Sequence, residues 1–295
     1  MKKTGLSECK ANLLQCLKEL VSDNYPFSQY SHILELYFDS IPKNQSIKIQ
    51  SICLLSIKKF LDLFHDDISQ QPAVLNRAIS LVKNKIKELD GDKLIKQATC
   101  KCLTELFRHY QLSNADLAFF FDCMSQKLKI EVEKLYLIET LNALKSTVPL
   151  AADSGKALEG VIRQISDNLG SINFELNIKS IQAIDNLLEV LGKGSNLKLL
   201  EELLDKSKII LGEGKIPSFL RHIAGNNPKL LKPYAELIIK STESEYISVL
   251  LKEKVIEINS CLKIFKTLDQ EKSKRISQTL GAINFDEAHM MKEVD

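Results

Sequence analysis

The chain has 295 residues, of which 44% are hydrophobic and 26% are charged, so its composition is that of a folded globular protein and excludes a disordered one. The net charge of +2 at pH 7 gives no strong field to steer the chain toward nucleic acid or an anionic membrane. Only 11 glycines and 7 prolines occur, and tryptophan is absent. This scarcity of turn-forming residues, with abundant Leu, Ile, Lys and Glu, predicts an all-α fold.

Seven cysteines are present, which is an odd number, and most lie within apolar helical runs. Unpaired buried cysteine behaves as a small hydrophobic residue, and its use here indicates a reducing compartment. Polar residues follow the N-terminal Met-Lys-Lys, so no signal sequence is expected. No apolar run approaches the ~18 residues of a membrane span. We therefore expect a soluble, cytoplasmic protein.

Apolar residues at helical spacing predict helices from one end of the chain to the other. In the first half these cover about 7–22, 27–39, 45–64, 72–89, 93–110, 113–128 and 130–146. In the second half they cover about 154–169, 174–191, 196–211, 217–225, 228–240, 243–268 and 270–280. Most connections are two to six residues long, which makes successive helices antiparallel neighbours and predicts stacked helical hairpins.

A repeated pattern is clearest in the segment 92–106. Asp92 opens it, an apolar and a basic residue follow at +3 and +4, small residues stand at +7 and +10, and Leu106 closes it. Asn44 and Asn173 begin weaker copies of the same pattern. The starts are 48 residues (92−44) and 81 residues (173−92) apart, and one further copy near Val132 brings the average spacing close to ~40 residues. Small residues at fixed positions let neighbouring helices approach closely.

Residues 44–190, and 92–106 best of all, resemble the HEAT/armadillo superfamily. The resemblance implies a right-handed α-solenoid of stacked antiparallel helix pairs with about 12–14 helices. It also implies HEAT-like repeats over 1–214, a C-terminal helical cap or subdomain over 215–281, where the pattern fades, and a flexible tail over 282–295. The segment 97–106 is similar to helices in the large-subunit trunks of vesicle-coat adaptors.

Such an architecture predicts a non-enzymatic scaffold or adaptor that binds a protein along its concave face, as a subunit of a larger assembly. The inner helices at 44–63, 92–109 and 173–190 would line that face. No catalytic residue, cofactor site or metal site is predicted. The candidate partner-binding residues are four basic side chains and two aromatic anchors: Lys93, Lys96, Lys101, Arg108, Phe120 and Phe121.

The main alternative is a nucleic-acid-binding helical-repeat protein, because the segment from Arg77 to Arg108 has a local charge of +4 (8−4). That segment is also typical of a solvated helix face with i,i+4 ion pairs. The chain ends Met-Lys-Glu-Val-Asp, which resembles the acidic peptides that tetratricopeptide clamps bind, although Lys292 departs from the pattern.

An all-helical enzyme is a further alternative. Residues 227–234 and Cys261 resemble the AhpD-like peroxidase and carboxymuconolactone decarboxylase family. Ile264 stands where that family's second cysteine is expected, so the resemblance implies an inactive relative at most. Cys100 and Cys102, with His109 and Cys123 nearby in sequence, invite a metal interpretation. Side chains two apart on a helix point ~200° apart, however, so core packing of both cysteines is the prediction.

Overall fold

The computed structural model describes residues 2–42, 46–87, 92–130, 134–145, 149–192, 196–241, 244–265 and 267. Every regular element in these residues is helical, which confirms the predicted all-α class. No stretch of the described helices has the length and hydropathy that a membrane span needs. The chain divides into two compact units, Met1–Gln164 and Ile165–Asp295. The predicted boundary at 214 rests on the repeat pattern and stays a prediction, and the predicted boundary at 281 and the tail lie outside the described residues.

Unit 1 holds the first nine helices. They are α1 (Lys2–Leu20), α2 (Phe27–Ser40), α3 (Ile47–Leu63), α4 (His65–Ser69), α5 (Pro72–Lys87), α6 (Lys93–His109), α7 (Asn114–Ile130), α8 (Leu135–Asn142) and α9 (Ala152–Ser166), which ends just past the unit boundary.

Unit 2 holds the helices that follow. They are α10 (Phe174–Leu191), α11 (Leu197–Gly212), α12 (Leu220–Asn226), a 3-10 helix (Pro228–Tyr234), α13 (Ala235–Ser241), α14 (Ser244–Lys252) and α15 (Ile258–Phe265).

Two of the predicted repeat starts are helix caps. The Asp92 carboxylate accepts a hydrogen bond from the Leu94 backbone N–H at 2.8 Å, and the Asn173 side chain accepts one from Leu176 at 3.1 Å. Each bond satisfies a backbone donor that the first helical turn leaves unpaired. The third start, Asn44, lies outside the described residues.

In unit 1 successive helices alternate between two rows. Tyr30 and Tyr37 of α2 donate to the Leu20 and Leu14 carbonyls of α1, so residue numbers rise on one helix as they fall on the other, and the pair is antiparallel. Helices α3 and α6, which are separated by the short α4 and by α5, instead run parallel. The Cys102 thiol of α6 donates to the Leu54 carbonyl of α3, and eight residues further along the chain the Tyr110 hydroxyl donates to a carbonyl at the end of α3.

The same separation along the sequence recurs through unit 1. Hydrogen bonds that join α1 to α3, α3 to α6 and α6 to α8 connect residues 41, 48 and 40 apart. On the other row, Arg77 of α5 bonds to Asp39 of α2, 38 residues away, and Ser154 of α9 bonds to Asn114 of α7, 40 residues away. With the short α4 left aside, α1, α3, α6 and α8 form one row and α2, α5, α7 and α9 form another. We name them the inner row and the outer row after the predicted concave face.

Unit 2 also pairs helices that are not consecutive. Helix α10 packs against α12, and α12 packs against α14. Helix α11 packs against the 3-10 helix and α13, and α13 packs against α15. The Tyr234 hydroxyl ties the 3-10 helix to α11 by donating to the Asp205 carboxylate at 2.7 Å.

Two predicted helices of unit 2 are interrupted. Pro233 has no N–H to donate, so the segment begun at Pro228 is a 3-10 helix before α13 continues it. The long helix predicted over 243–268 is wrong, because α14 ends at Lys252 and α15 begins at Ile258. Between them Lys254 adopts a φ of 51°, the left-handed conformation that ends many helices and that glycine usually supplies. The helix predicted over 270–280 lies outside the described residues.

Candidate functional site

Among the described residues of unit 1, helices α3 and α6 share the most extensive contact. Three small residues of these two helices, Cys53, Thr99 and Cys102, are buried, and Cys102 lies at the interface itself. The Cys102 sulfur lies 3.1 Å from the Leu54 carbonyl oxygen, and burial raises the pKa of this thiol far above its usual range. Cys100 is also buried, which confirms that both cysteines of the 92–106 segment are core residues.

Five titratable residues lie at the C-terminal end of this interface: Lys58, Asp62, Glu105, Arg108 and His109. We call them the Glu105 network. The Glu105 side chain is only 3% exposed, and its two oxygens lie 3.1 Å from the Lys58 Nζ and 2.8 Å from an Arg108 nitrogen. The same Lys58 ammonium donates to Asp62 at 2.7 Å. A buried carboxylate therefore has two cationic partners, one from each helix.

The network shifts the pKa values of its members. Burial alone would lower the pKa of Lys58, but its hydrogen bonds to Asp62 and Glu105 outweigh that effect, and the pKa is raised. Burial opposes ionisation of Asp62, yet the hydrogen bond from Lys58 holds the pKa of that carboxyl below its usual value. Burial, aided by the neighbouring His65 ring, lowers the pKa of His109. The imidazole is therefore neutral at pH 7.

Three members of the network have the donor types of a metal site. The ligand atoms of Asp62, Glu105 and His109 lie within 4.8 Å of one another. The Lys58 ammonium already stands between the two carboxylates, however, and a divalent cation would have to displace it. The His109 ring is stacked on His65 with centroids 4.4 Å apart, which fixes its plane. We therefore interpret the network as an ion cluster that locks α3 to α6.

The four predicted basic contact residues do not share one surface. Successive residues of an α-helix turn by ~100°, so Lys93, Lys101 and Arg108 lie within ~80° of one another on α6. All three are exposed. Lys96 points ~140° away from Lys101 and is half-buried. The exposed face of α6 therefore presents three of the predicted cations, and Arg108 also belongs to the Glu105 network.

The predicted aromatic anchors lie in the core, which corrects the expectation that one of them binds a partner. Phe120 and Phe121 are fully buried and pack with Phe107 at centroid distances of 6.0 and 6.3 Å. The aromatic residue that points away from the core is Phe119. Lys83 and Lys87 of α5 lie over its ring at 5.1 and 5.0 Å, an arrangement that favours cation–π attraction.

A shallow hollow between α2, α3 and α5 was not predicted as a site. It has a volume of about 750 Å³, and Arg77, Lys85 and Lys87 contribute its positive charge. Arg77 is bound by Asp39 at 2.5 Å and also by Glu35, so much of that charge is neutralised locally. The basic segment of the sequence is thus divided between this hollow and the exposed face of α6.

Comparisons with known proteins add no assignment. No family model matches the chain, and no curated protein matches it.

Proposed function

We propose that the protein is a non-enzymatic scaffold of the HEAT/armadillo type that binds a partner protein along the inner row of unit 1. The observation that carries this proposal is the recurrence of helix contacts at separations of 40, 41 and 48 residues. HEAT and armadillo repeats have periods of about 40–47 residues, and stacking of such units produces a continuous surface rather than an enclosed pocket.

The charge of the inner row defines the chemistry of the partner. Lys101 and Arg108 are exposed on α6, and Lys48 is exposed on α3. Lys10 of α1 and Lys93 of α6 are exposed as well, and the exposed acids among the described residues of this row are Glu8, Glu19 and Glu139. This balance favours a segment that carries acidic side chains, because Asp and Glu pair with exposed lysine and arginine at the rim of protein interfaces.

The Glu105 network supports a structural role for the centre of the row. Its carboxylates are matched by cations from both helices, so α3 and α6 keep a fixed spacing. Rigid presentation of side chains lowers the entropy lost on binding, which suits a scaffold. We further propose a cytoplasmic location and a role as a subunit of a larger assembly, of which a vesicle-coat adaptor is the narrower form.

Site-specific photo-crosslinking in the native cells tests the binding surface. A photoreactive phenylalanine analogue at Lys101 should capture a protein, and the same analogue at Lys156, exposed on α9 of the outer row, should not. The charge reversal Lys93→Glu should abolish capture by the probe at Lys101, whereas Lys156→Glu should leave it unchanged. Equal capture at both positions would contradict the proposal. Capture of RNA or DNA in place of protein would establish the nucleic-acid-binding alternative.

A further inference from the structure

Helix α1 has two apolar sides. One side carries Ala11 and Leu14, which are buried against the rest of unit 1. The side turned away from them carries Leu13 and Leu20, which are 59% and 66% exposed. A helix at the surface of a soluble protein usually has one apolar stripe and one polar face. Helix α1 departs from this pattern, because both of its sides are apolar.

The second stripe consists of Cys9, Leu13, Cys16 and Leu20, and all four residues are exposed. We call it the α1 stripe. Its spacings of 4, 3 and 4 residues are those of a heptad seam, the pattern by which two helices pack side by side. Along the seam small and large residues alternate, with a cysteine at each first position and a leucine at each second one.

The contacts that hold α1 in unit 1 do not use this stripe. Helix α1 is the first of the inner row and packs on α3, where Lys59 donates to the Lys18 carbonyl at 3.0 Å. The α1 stripe, with its two exposed leucines, is left uncovered by these contacts.

We propose that the α1 stripe binds the α1 stripe of a second copy of this chain, with the two helices antiparallel. In an isologous contact, residue i touches residue j of the other copy and residue j touches residue i. The register that covers all four positions sets Cys9 opposite Leu20 of the second copy, and Leu13 opposite Cys16 of the second copy. Each layer of the interface then joins one large and one small side chain.

The alternation of sizes favours this orientation over a parallel one. In a parallel pair Leu13 would meet Leu13 and Cys16 would meet Cys16, which alternates crowded layers with underfilled ones. The flanking residues agree with the antiparallel register. It places Lys10 near Leu17 of the second copy and Asn12 near Glu19 of the second copy, so no like charges face each other.

The stripe contributes four residues from each copy, which is small beside the 20–30 residues per side of a standard interface. We therefore expect a dimer that dissociates on dilution rather than an obligate one. The contact uses none of the residues of the proposed partner surface on α6. Failure of one proposal therefore does not contradict the other.

Sedimentation equilibrium over a wide range of concentration tests the dimer. The full chain should move from monomer to dimer as its concentration rises, and Leu13→Glu with Leu20→Glu should weaken the association at least tenfold. Leu94→Glu provides the matched control, because Leu94 is a similarly exposed leucine, 55%, on a different helix. Circular dichroism verifies that the variants are folded. A monomer at every concentration, or a dimer that the double variant leaves intact, overturns the proposal.

Disulfide trapping with a mild oxidant tests the orientation. In a chain with Leu20→Cys and Cys16→Ser, the antiparallel register places Cys9 beside the new thiol of the other copy. Two Cys9 residues would be separated by ~16 Å along the axis, since 11 residues rise 1.5 Å each. Peptide mapping should therefore identify links between positions 9 and 20. Links from 9 to 9 and from 20 to 20 would show a parallel pair and overturn the antiparallel assignment.

Discussion

Replacing Lys58 by methionine removes one of the two cations that hold the buried Glu105 carboxylate. Methionine keeps the length and apolar stem of the lysine, so the change isolates the ammonium group. Breaking a buried ion pair by removing one partner costs ~3–5 kcal/mol when nothing else compensates. Here Arg108 remains 2.8 Å from Glu105, and the Lys58 side chain is already 29% exposed. We therefore expect a loss of about 2 kcal/mol in the free energy of unfolding of unit 1.

A double variant separates the cost of an unpaired charge from the cost of lost packing. Lys58→Met with Glu105→Met removes both members of the pair and fills the space with apolar atoms. Replacing a buried pair by hydrophobic residues of similar volume is often neutral or stabilising. We expect the double variant to be more stable than Lys58→Met alone, within about 1 kcal/mol of the natural chain. The loss of stability in Lys58→Met alone would then be caused by the Glu105 carboxylate that has lost one of its cations.

Urea unfolding followed by circular dichroism at 222 nm measures these differences, and an unchanged slope of the transition shows that the denatured state is unaltered. Lys101→Met is the matched control, because Lys101 is an exposed lysine on α6, the other helix of this interface. It should change stability by no more than about 0.5 kcal/mol. A loss for Lys58→Met that is no larger than this control, or a double variant no more stable than Lys58→Met, would refute the reasoning.

Three other perturbations have defined outcomes. His109→Gln should reduce the loss of stability on acidification, which urea titrations at several pH values measure. The pKa of His109 is lowered in the folded protein, so below pH ~6.5 the unfolded chain binds more protons and acid favours unfolding. Cys102→Leu should destabilise the interface of α3 and α6 by about 1–3 kcal/mol by overpacking a fully buried site, whereas Cys102→Ser keeps the volume, and thermal unfolding distinguishes the two. Gly170→Ala should lower the melting temperature more than Gly192→Ala. Both glycines have positive φ, but only the Cβ added at Gly170 meets a neighbour, the Ile209 side chain at 3.3 Å. Equal shifts in melting temperature would contradict this.

Local sequence signals were sufficient for the helices and for several of their ends. Asp92 and Asn173 are cap residues, and each accepts the hydrogen bond that its chemistry predicts. The break after Lys252 was missed because a lysine, not a glycine, adopts the left-handed conformation at 254. Such a conformation is a consequence of tertiary packing, and a lysine in the sequence does not predict it.

The candidate site was harder to predict because it joins residues far apart in the sequence. Lys58 and Glu105 are 47 positions apart, and helical periodicity says nothing about which charges meet across an interface. The three consecutive phenylalanines show the same limit. Their spacing requires one ring to leave the core, but only the packing of α7 decides that this ring is Phe119 and that the other two are buried.

The regular separation of tertiary contacts in unit 1 has a mechanical consequence. The side-chain hydrogen bonds described between its helices join residues at most 49 positions apart, so these bonds connect each helix only to helices near it in the sequence. A force applied to the two ends of such a chain can detach one hairpin at a time without first breaking the rest. Each step would release ~40 residues of unfolded chain, which span roughly 130–140 Å at full extension. Unit 1 would then lengthen in nearly equal increments and behave as an elastic element.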